Sequence, residues 1–321
     1  MKRGLVIGKF MPLHHGHIAL INFAAARCDE LIVSMSYTDQ DPIDPDLRLG
    51  WIKSMFTDPR IRIAKIKDDF DDETLALDER TALWAPVMKR TYPPINILFS
   101  SEAYGEPFAR HLQAEHVAFD PDRTIVPVSA TKIRNHPFQY WEHIPAVVRP
   151  YFVKKICFYG AESTGKSTLA MRMAEHYNTE FVPEVARELL ITNDFTVEDI
   201  ITIGHAHAQR VEEKLKTANK LLFCDTDAIT TQIYSKYYLN VVPDVLYALE
   251  AKVKYDLYFL MDIDVPWIED GLRDLGHKRQ EMTDIFKGAL EQRNIPYITV
   301  SGDFQQREAI VHRAIERLLK D

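Results

Sequence analysis

The stretch KKICFYGAESTGKSTLAMRMAEHY, residues 154–177, decides the fold of the second half of the chain. KKICFYG is a short apolar run that reads as a buried strand, and GKSTLAMRMAEHY carries its Leu, Ala and Met at helical spacing. Between them GAESTGKST, Gly160 to Thr168, satisfies G-x-x-x-x-G-K-[ST] through Gly160, Gly165, Lys166 and Ser167. The glycines let backbone N–H groups wrap phosphates, and the helix N-terminus adds roughly half a positive charge. In such a loop the lysine neutralises the β and γ phosphates of a nucleoside triphosphate and the serine ligates Mg²⁺, which assigns Lys166 and Ser167. Glu162, Ser163, Thr164 and Thr168 belong to the same loop and join the expected ATP-binding set. The flanking strand and helix argue against a glycine-rich turn with an incidental lysine.

Outward from this unit, strands and helices alternate along the whole chain. In the first half GLVIGKF, ELIVSMSY, RIRIAKI, INILFSS and HVAF read as strands, separated by helical patterns in HIALINFAAARC, LRLGWIKSMF, ERTALWAPVMKR and EPFARHL. The pattern restarts at residue 154 and continues through TEFVPEV, a long helix around VEDIITIGHAHAQRVEEKLKTA, and the strands KLLFCDT, DLYFLMDI and PYITV. Later helices include FKGALEQRN and the terminal REAIVHRAIERLLKD. Such alternation implies parallel β-α-β units with ligands at the carboxyl ends of the strands. The expected fold class is α/β, with one parallel sheet in a domain of residues 1–150 and a second in a domain of residues 151–321. The prolines of PAVVRPYF mark the boundary.

Composition narrows the function. With 321 residues, 46% hydrophobic and 27% charged, the chain reads as an ordinary soluble protein of two domains. No apolar run approaches the roughly 18 residues that span a bilayer, and a cytoplasmic location is expected. Net charge is −8, with 18 Lys and Arg against 20 Asp and Glu in residues 1–150 and 21 against 27 in the rest. Neither half has the basic excess of a nucleic-acid binder, so any anion must be held by local groups. Cys28, Cys157 and Cys224 lack a CxxC pair and are expected in the core. The acidic run DDFDDE, Asp68 to Glu73, reads as a solvated loop without a site role. Oligomeric state is not fixed by the sequence, which leaves a homo-oligomer open.

A phosphate loop names the donor and leaves the acceptor to other residues. Asp225 ends the strand KLLFCD, the place for a carboxylate that holds Mg²⁺ directly or through water, with Asp227 a weaker candidate. Glu184, after the second strand, is placed to take a proton from an acceptor hydroxyl, with Arg187 on the following turn binding substrate. A surface ion pair explains Glu184 and Arg187 equally well. EDGLRDLGHKRQ carries Arg273, Lys278 and Arg279 within seven residues, suiting a lid that brings cations to the transferring phosphoryl group, or a solvated basic helix. At about 170 residues, this half resembles a small-molecule kinase of the P-loop class.

In the first half GKFMPLHHGH, Gly8 to His17, sets His14 and His17 three apart at a turn that opens a helix, so both face one point. Further ligands for zinc are missing nearby. A phosphate seat fits better, since the helix N-terminus points its N–H groups at the same place and imidazoles beside a triphosphate favour the protonated form. Gly16 allows close approach of backbone to ligand. VSATKIR supplies a second element, with Ser129 and Thr131 as capping residues and Arg134 one turn into a helix to grip phosphate.

The pair G-x-F-x-P-x-H-x-G-H (Gly8, Phe10, Pro12, His14, Gly16, His17) and S-x-T-x-x-R (Ser129, Thr131, Arg134) resembles the signature of the HxGH nucleotidyltransferase superfamily. Followed by a P-loop kinase half, and with Lys9 in GKF, the chain resembles the bifunctional nicotinamide mononucleotide adenylyltransferase and ribosylnicotinamide kinase family, NadR. The resemblance implies ATP, ribosylnicotinamide, nicotinamide mononucleotide and NAD as partners, with His14, His17, Lys9 and Arg134 as adenylyl-transfer residues and Mg²⁺ assisting. Trp84 resembles in position the stacking tryptophan of archaeal-type adenylyltransferases, and Trp267 is the matching candidate in the kinase half; either is also explained as core. Family members with a DNA-binding helix-turn-helix carry it before the first strand, which here begins by residue 4, so repressor activity is not expected. Two other readings use the same motifs: phosphopantetheine adenylyltransferase joined to dephospho-coenzyme A kinase, and a nucleotide-sensing regulator.

Overall fold

The structure is a computed structural model and describes residues 1–270 and 273–320. The chain divides into two compact units, Met1–Val148 and Arg149–Asp321. In the first, β1 (Arg3–Gly8), β2 (Glu30–Tyr37), β3 (Ile61–Lys67), β4 (Ile97–Ser100) and β5 (Glu115–Ala118) form a parallel sheet in the order β3-β2-β1-β4-β5. The helices between them are α1 (His15–Ala25), α2 (Pro45–Met55), α3 (Leu77–Thr91) and α4 (Gly105–Leu112), followed by α5 (Ala130–Asn135). β1 and β2 are buried on both faces and read as continuous apolar runs, whereas β3 lies at the edge and alternates, with Arg62, Lys65 and Lys67 outward. Leu5, Ile32 and Leu98 pack against Met88 of α3, its C-cap Tyr92, and Phe108 and Leu112 of α4. Asp44 starts α2 by accepting from the Asp46 and Leu47 N–H groups, with Pro45 as first helical residue.

The second unit contains β6 (Lys154–Tyr159), α6 (Lys166–His176), β7 (Glu180–Val182), α7 (Ala186–Leu189), α8 (Val197–Leu215), β8 (Leu221–Asp225), α9 (Ala228–Leu239), α10 (Asp244–Lys252), β9 (Leu257–Met261), α11 (Arg279–Gln292), β10 (Tyr297–Val300) and α12 (Phe304–Leu318). Its parallel sheet runs β10-β9-β6-β8-β7. Alternation along β6 feeds two cores. Ile156 and Phe158 meet Leu169 and Met173 of α6 and Val311 and Ile315 of α12, while Cys157 and Tyr159 meet Ile229 and Ile233 of α9 and Phe286 and Leu290 of α11. The pairing aligns Phe158 with Asp225, so the carboxyl ends of β6 and β8 lie side by side. Cys157 and Cys224 are buried and Cys28 is half-buried, all as free thiols. No helix among the described residues is long and apolar enough to cross a membrane.

Candidate active sites

In the first unit the strand order reverses between β1 and β4, and the crevice at their carboxyl ends is where open α/β sheets bind ligands. The loop that leaves β1 enters it. His14 is the N-cap of α1: its Nδ1 accepts from the Gly16 N–H at 3.1 Å and the His17 N–H at 3.4 Å. A neutral imidazole that accepts at Nδ1 carries its proton at Nε2, so His14 presents a donor there. The His17 ring stacks on it with centroids 3.7 Å apart, and Phe10 meets His17 edge-on. A Cβ on Gly16 would come within 3.0 Å of the His14 ring, so this glycine makes room for the histidine itself. Burial, then the neighbouring His17 and Arg123, push His14 far below the ordinary imidazole range; burial and Arg123 bring His17 down to about 3. Both rings are neutral near pH 7, and protonation requires a facing anion. His15 is exposed.

These rings line a cleft of about 390 Å³ together with Gly8, Lys9, Ser129 and Thr131. Ser129 caps α5 by accepting from the Lys132 N–H. Arg134 departs from its expected place: its guanidinium donates to the Met11 carbonyl and, at 3.2 Å, to Thr131 Oγ1, fastening the VSATKIR segment to the β1–α1 loop rather than lining the cleft. Besides Lys9, the cleft wall carries Arg123, held by the Val128 carbonyl at 3.0 Å and Glu102 at 2.5 Å. Sequence reasoning passed over it, although it stands five residues before VSATKIR.

A second pocket of about 160 Å³ shares Gly8, Lys9 and Tyr104 with the cleft and is walled by Trp84. The indole N–H donates to Asp71 at 2.9 Å, and Arg80 grips the same carboxylate at 2.9 and 2.5 Å. Asp68, Asp71 and Glu73 line this pocket, which corrects the expectation of a solvated acidic loop. Partners on α3 draw the run inward.

In the second unit the phosphate loop follows β6. Gly160 has φ +131° and a Cβ there would lie 3.1 Å from the Met261 carbonyl, while Gly165, the N-cap of α6, has φ +85°. Lys166 Nζ donates to the Gly160 and Ala161 carbonyls at 3.0 and 2.8 Å, and Thr164 Oγ1 donates to Ala161. Arg279 reaches the Ser163 carbonyl at 3.2 Å and the buried Arg307 the Thr164 carbonyl at 2.8 Å. With its carbonyls held outward by these cations, the loop keeps its N–H groups for an anion. Ser167 and Thr168 open α6 and are exposed.

Asp225 stands beside this loop, buried, with neither oxygen in a hydrogen bond of good geometry; burial, then Glu184, raise it to about 6 against the opposing pull of Lys166 and nearby Ser167. Two orphaned carboxylate oxygens next to a serine hydroxyl and a triphosphate loop fit Mg²⁺, which takes one or two protein oxygens and completes its shell with phosphate and water. Among the described residues no cluster of three or more His, Cys, Asp or Glu could hold a metal alone. Asp227 has a structural role: it caps α9 through Thr230 and accepts from the Tyr258 hydroxyl at 2.8 Å.

Next to Asp225 opens a pocket lined by Glu162, Glu184, Arg187, Phe195, Tyr234 and Tyr238, among others. Arg187 donates to Glu184 at 2.8 Å and to Asp270 at 2.6 Å. Glu162 turns into this pocket although its loop suggested an ATP contact. Trp267 lies outside it, beside Gly276 and with Arg279 over its ring at 5.7 Å; the aromatic wall is Phe195, Tyr234 and Tyr238, which sequence reading did not single out. Of the expected lid, Arg273 donates to the Ile268 carbonyl and Lys278 to the Tyr237 hydroxyl, and Gly271 and Leu272 are outside the described residues.

Residues 155–307 match the family described as an AAA domain. The trifunctional NAD biosynthesis/regulator protein NadR of Escherichia coli K12 is 35% identical over 92% of this chain and 78% of its own length. The protein of the same description from Salmonella typhimurium LT2 is 34% identical over the same shares. A crystal structure of a NadR protein in complex with NAD and AMP-PNP superposes with a TM-score of 0.81 at 22% identity, covering 100% of this chain and 96% of that one, and so shares the fold.

Proposed function

The chain belongs to the NadR family, and on that premise we propose that it makes NAD by two consecutive transfers from ATP, each in its own unit. The observation that carries this is the pairing, in one chain, of two parallel sheets that each place a phosphate-binding loop beside a separate acceptor pocket. The second unit phosphorylates ribosylnicotinamide. The 5′-hydroxyl oxygen bonds to the γ phosphorus, the bond to the β–γ bridging oxygen breaks, ADP leaves, and the hydroxyl proton passes to a carboxylate. Glu184 is placed for that proton, lining the pocket and oriented by Arg187. Ser167 and Asp225 would hold Mg²⁺, which would supply neutralisation of the charge that builds up during phosphoryl transfer. Tyr234, Tyr238 and Phe195 offer ring faces to the pyridinium.

The first unit joins nicotinamide mononucleotide to AMP. Here the substrate's phosphate oxygen attacks the α phosphorus and pyrophosphate leaves, so no hydroxyl must be deprotonated and the protein positions groups and stabilises charge. His14 through Nε2–H, His17, Lys9 and Arg123 face the cleft for that purpose, with Arg134 holding the two motif segments together. Trp84, oriented by Asp71, is the ring face of the adjoining pocket. Incubation with ATP, Mg²⁺ and either ribosylnicotinamide or its mononucleotide is the test: the first should give the mononucleotide and then NAD, the second NAD and pyrophosphate. No product from either would sink the assignment.

A further inference from the structure

Two carboxylates, Glu162 and Glu184, line the kinase pocket beside Arg187. Glu184, from the segment after β7, opposes the ionisation of Glu162 in the phosphate loop, and Asp274 stands close enough to Glu162 to oppose it as well. The cations among them are already engaged, Lys166 with carbonyls of its own loop and Arg187 with Glu184 and Asp270. Glu162 is the unusual member. Its Oε2 is buried without a hydrogen bond, and burial followed by Asp274 and Glu184 raises it to about 7 against the pull of Lys166. A carboxylate left in that condition gains from a ligand that brings its own positive charge. Aromatic faces at Tyr234, Tyr238 and Phe195 favour the same ligand, since their quadrupoles attract a flat organic cation. The hydroxyl of Tyr238 donates to Asp274, so the ring and the acidic cluster are one connected wall.

We infer that the acceptor pocket selects its nucleoside by charge, with Glu162 as the specificity residue that favours a permanently cationic N-ribosyl pyridinium over an uncharged nucleoside of the same shape. This rests on the kinase reading above. The discriminating pair is ribosylnicotinamide and its 1,4-dihydro form, which differ by one hydride: the first ring is cationic, the second neutral. Steady-state kinetics of both nucleosides should show the wild-type protein preferring the cation by at least about tenfold in kcat/KM, the scale of one desolvated cation contact. Glu162→Gln should remove most of that preference, raising the KM for the cation several-fold more than the KM for the neutral nucleoside. Glu162→Asp, which keeps the charge, should retain the preference. Damage to the fold would lower both substrates together and leave the ratio alone, so an unchanged ratio in Glu162→Gln overturns the inference, as does a wild-type protein indifferent to ring charge. Were Glu162→Gln inactive, calorimetric binding of the two nucleosides reads the same ratio. A wild-type protein that phosphorylates neither would defeat the kinase reading itself.

Discussion

The stacked pair His14 and His17 shows how one residue's surroundings set its chemistry. Two backbone N–H groups fix the tautomer of His14, and Gly16 leaves the space its ring fills. Burial keeps both rings neutral near pH 7, and in the proposed adenylyl transfer they serve as hydrogen-bond donors to phosphate. The same burial ties stability to pH. His17 titrates near 6.5 when unfolded and near 3 in the fold, so between those values the unfolded chain binds a proton that the folded chain refuses. Stability is full above pH 6.5 and is lost as pH falls, by up to about 1.4 kcal/mol per pH unit for each such proton. Urea unfolding at pH 7, 6 and 5, followed by tryptophan fluorescence, should give His17→Gln a shallower decline than wild type; three of the four tryptophans, Trp51, Trp84 and Trp141, report on the first unit. His207, held near 4, acts in the same direction equally in both proteins, and loss of His17 also relieves part of the depression of His14, which makes the variant's decline shallower still. Identical slopes would mean that His17 titrates freely in the fold.

At the scale of elements, the adenylyl site depends on a loop braced from behind. Arg48 of α2 is fully buried, donates to the Lys9 carbonyl at 2.6 Å and pairs with Asp41 at 2.6 Å, while Asp41 accepts from the Thr38 hydroxyl and N–H. The planar guanidinium serves both partners at once, and a lysine ammonium on a flexible stem does not. Arg48→Lys is therefore expected to lower adenylylation by about tenfold to a hundredfold through misplacement of Lys9, with phosphorylation of ribosylnicotinamide unaffected. A full-rate variant would show that the brace does not position the loop. Much of this architecture is legible in the sequence, because parallel strands buried on both faces leave continuous apolar runs such as LIVSM and LLFC, and the helices between them keep a 3.6 period. Contiguous motifs gave the two phosphate loops for the same reason. What sequence conceals is convergence at long range: Arg123, Asp71, Tyr234 and Tyr238 reach their pockets from loops and helices whose local pattern says only surface or core. Membership in a loop also does not say which way a side chain turns. Glu162 faces the acceptor pocket and Arg134 a carbonyl, and Asp227 is spent on a helix cap.

Across the whole molecule, the two units have separate hydrophobic cores, and each pocket described is lined by residues of one unit. Lys166→Ala removes the ammonium beside the loop carbonyls and leaves the backbone nest and the core residues of α6 in place. It should abolish formation of nicotinamide mononucleotide from ribosylnicotinamide, a loss of at least about a thousandfold for a group that stabilises phosphoryl-transfer charge, while supplied mononucleotide is still converted to NAD at the wild-type rate. His17→Ala should do the converse, since its ring meets His14 and Phe10 within the first unit. Mixing the two variants with ribosylnicotinamide and ATP then gives the decisive measurement. Free intermediate made by the His17 variant should be taken up by the Lys166 variant and NAD should accumulate after a lag that shortens as protein concentration rises. Loss of both activities in either folded single variant would refute independent sites.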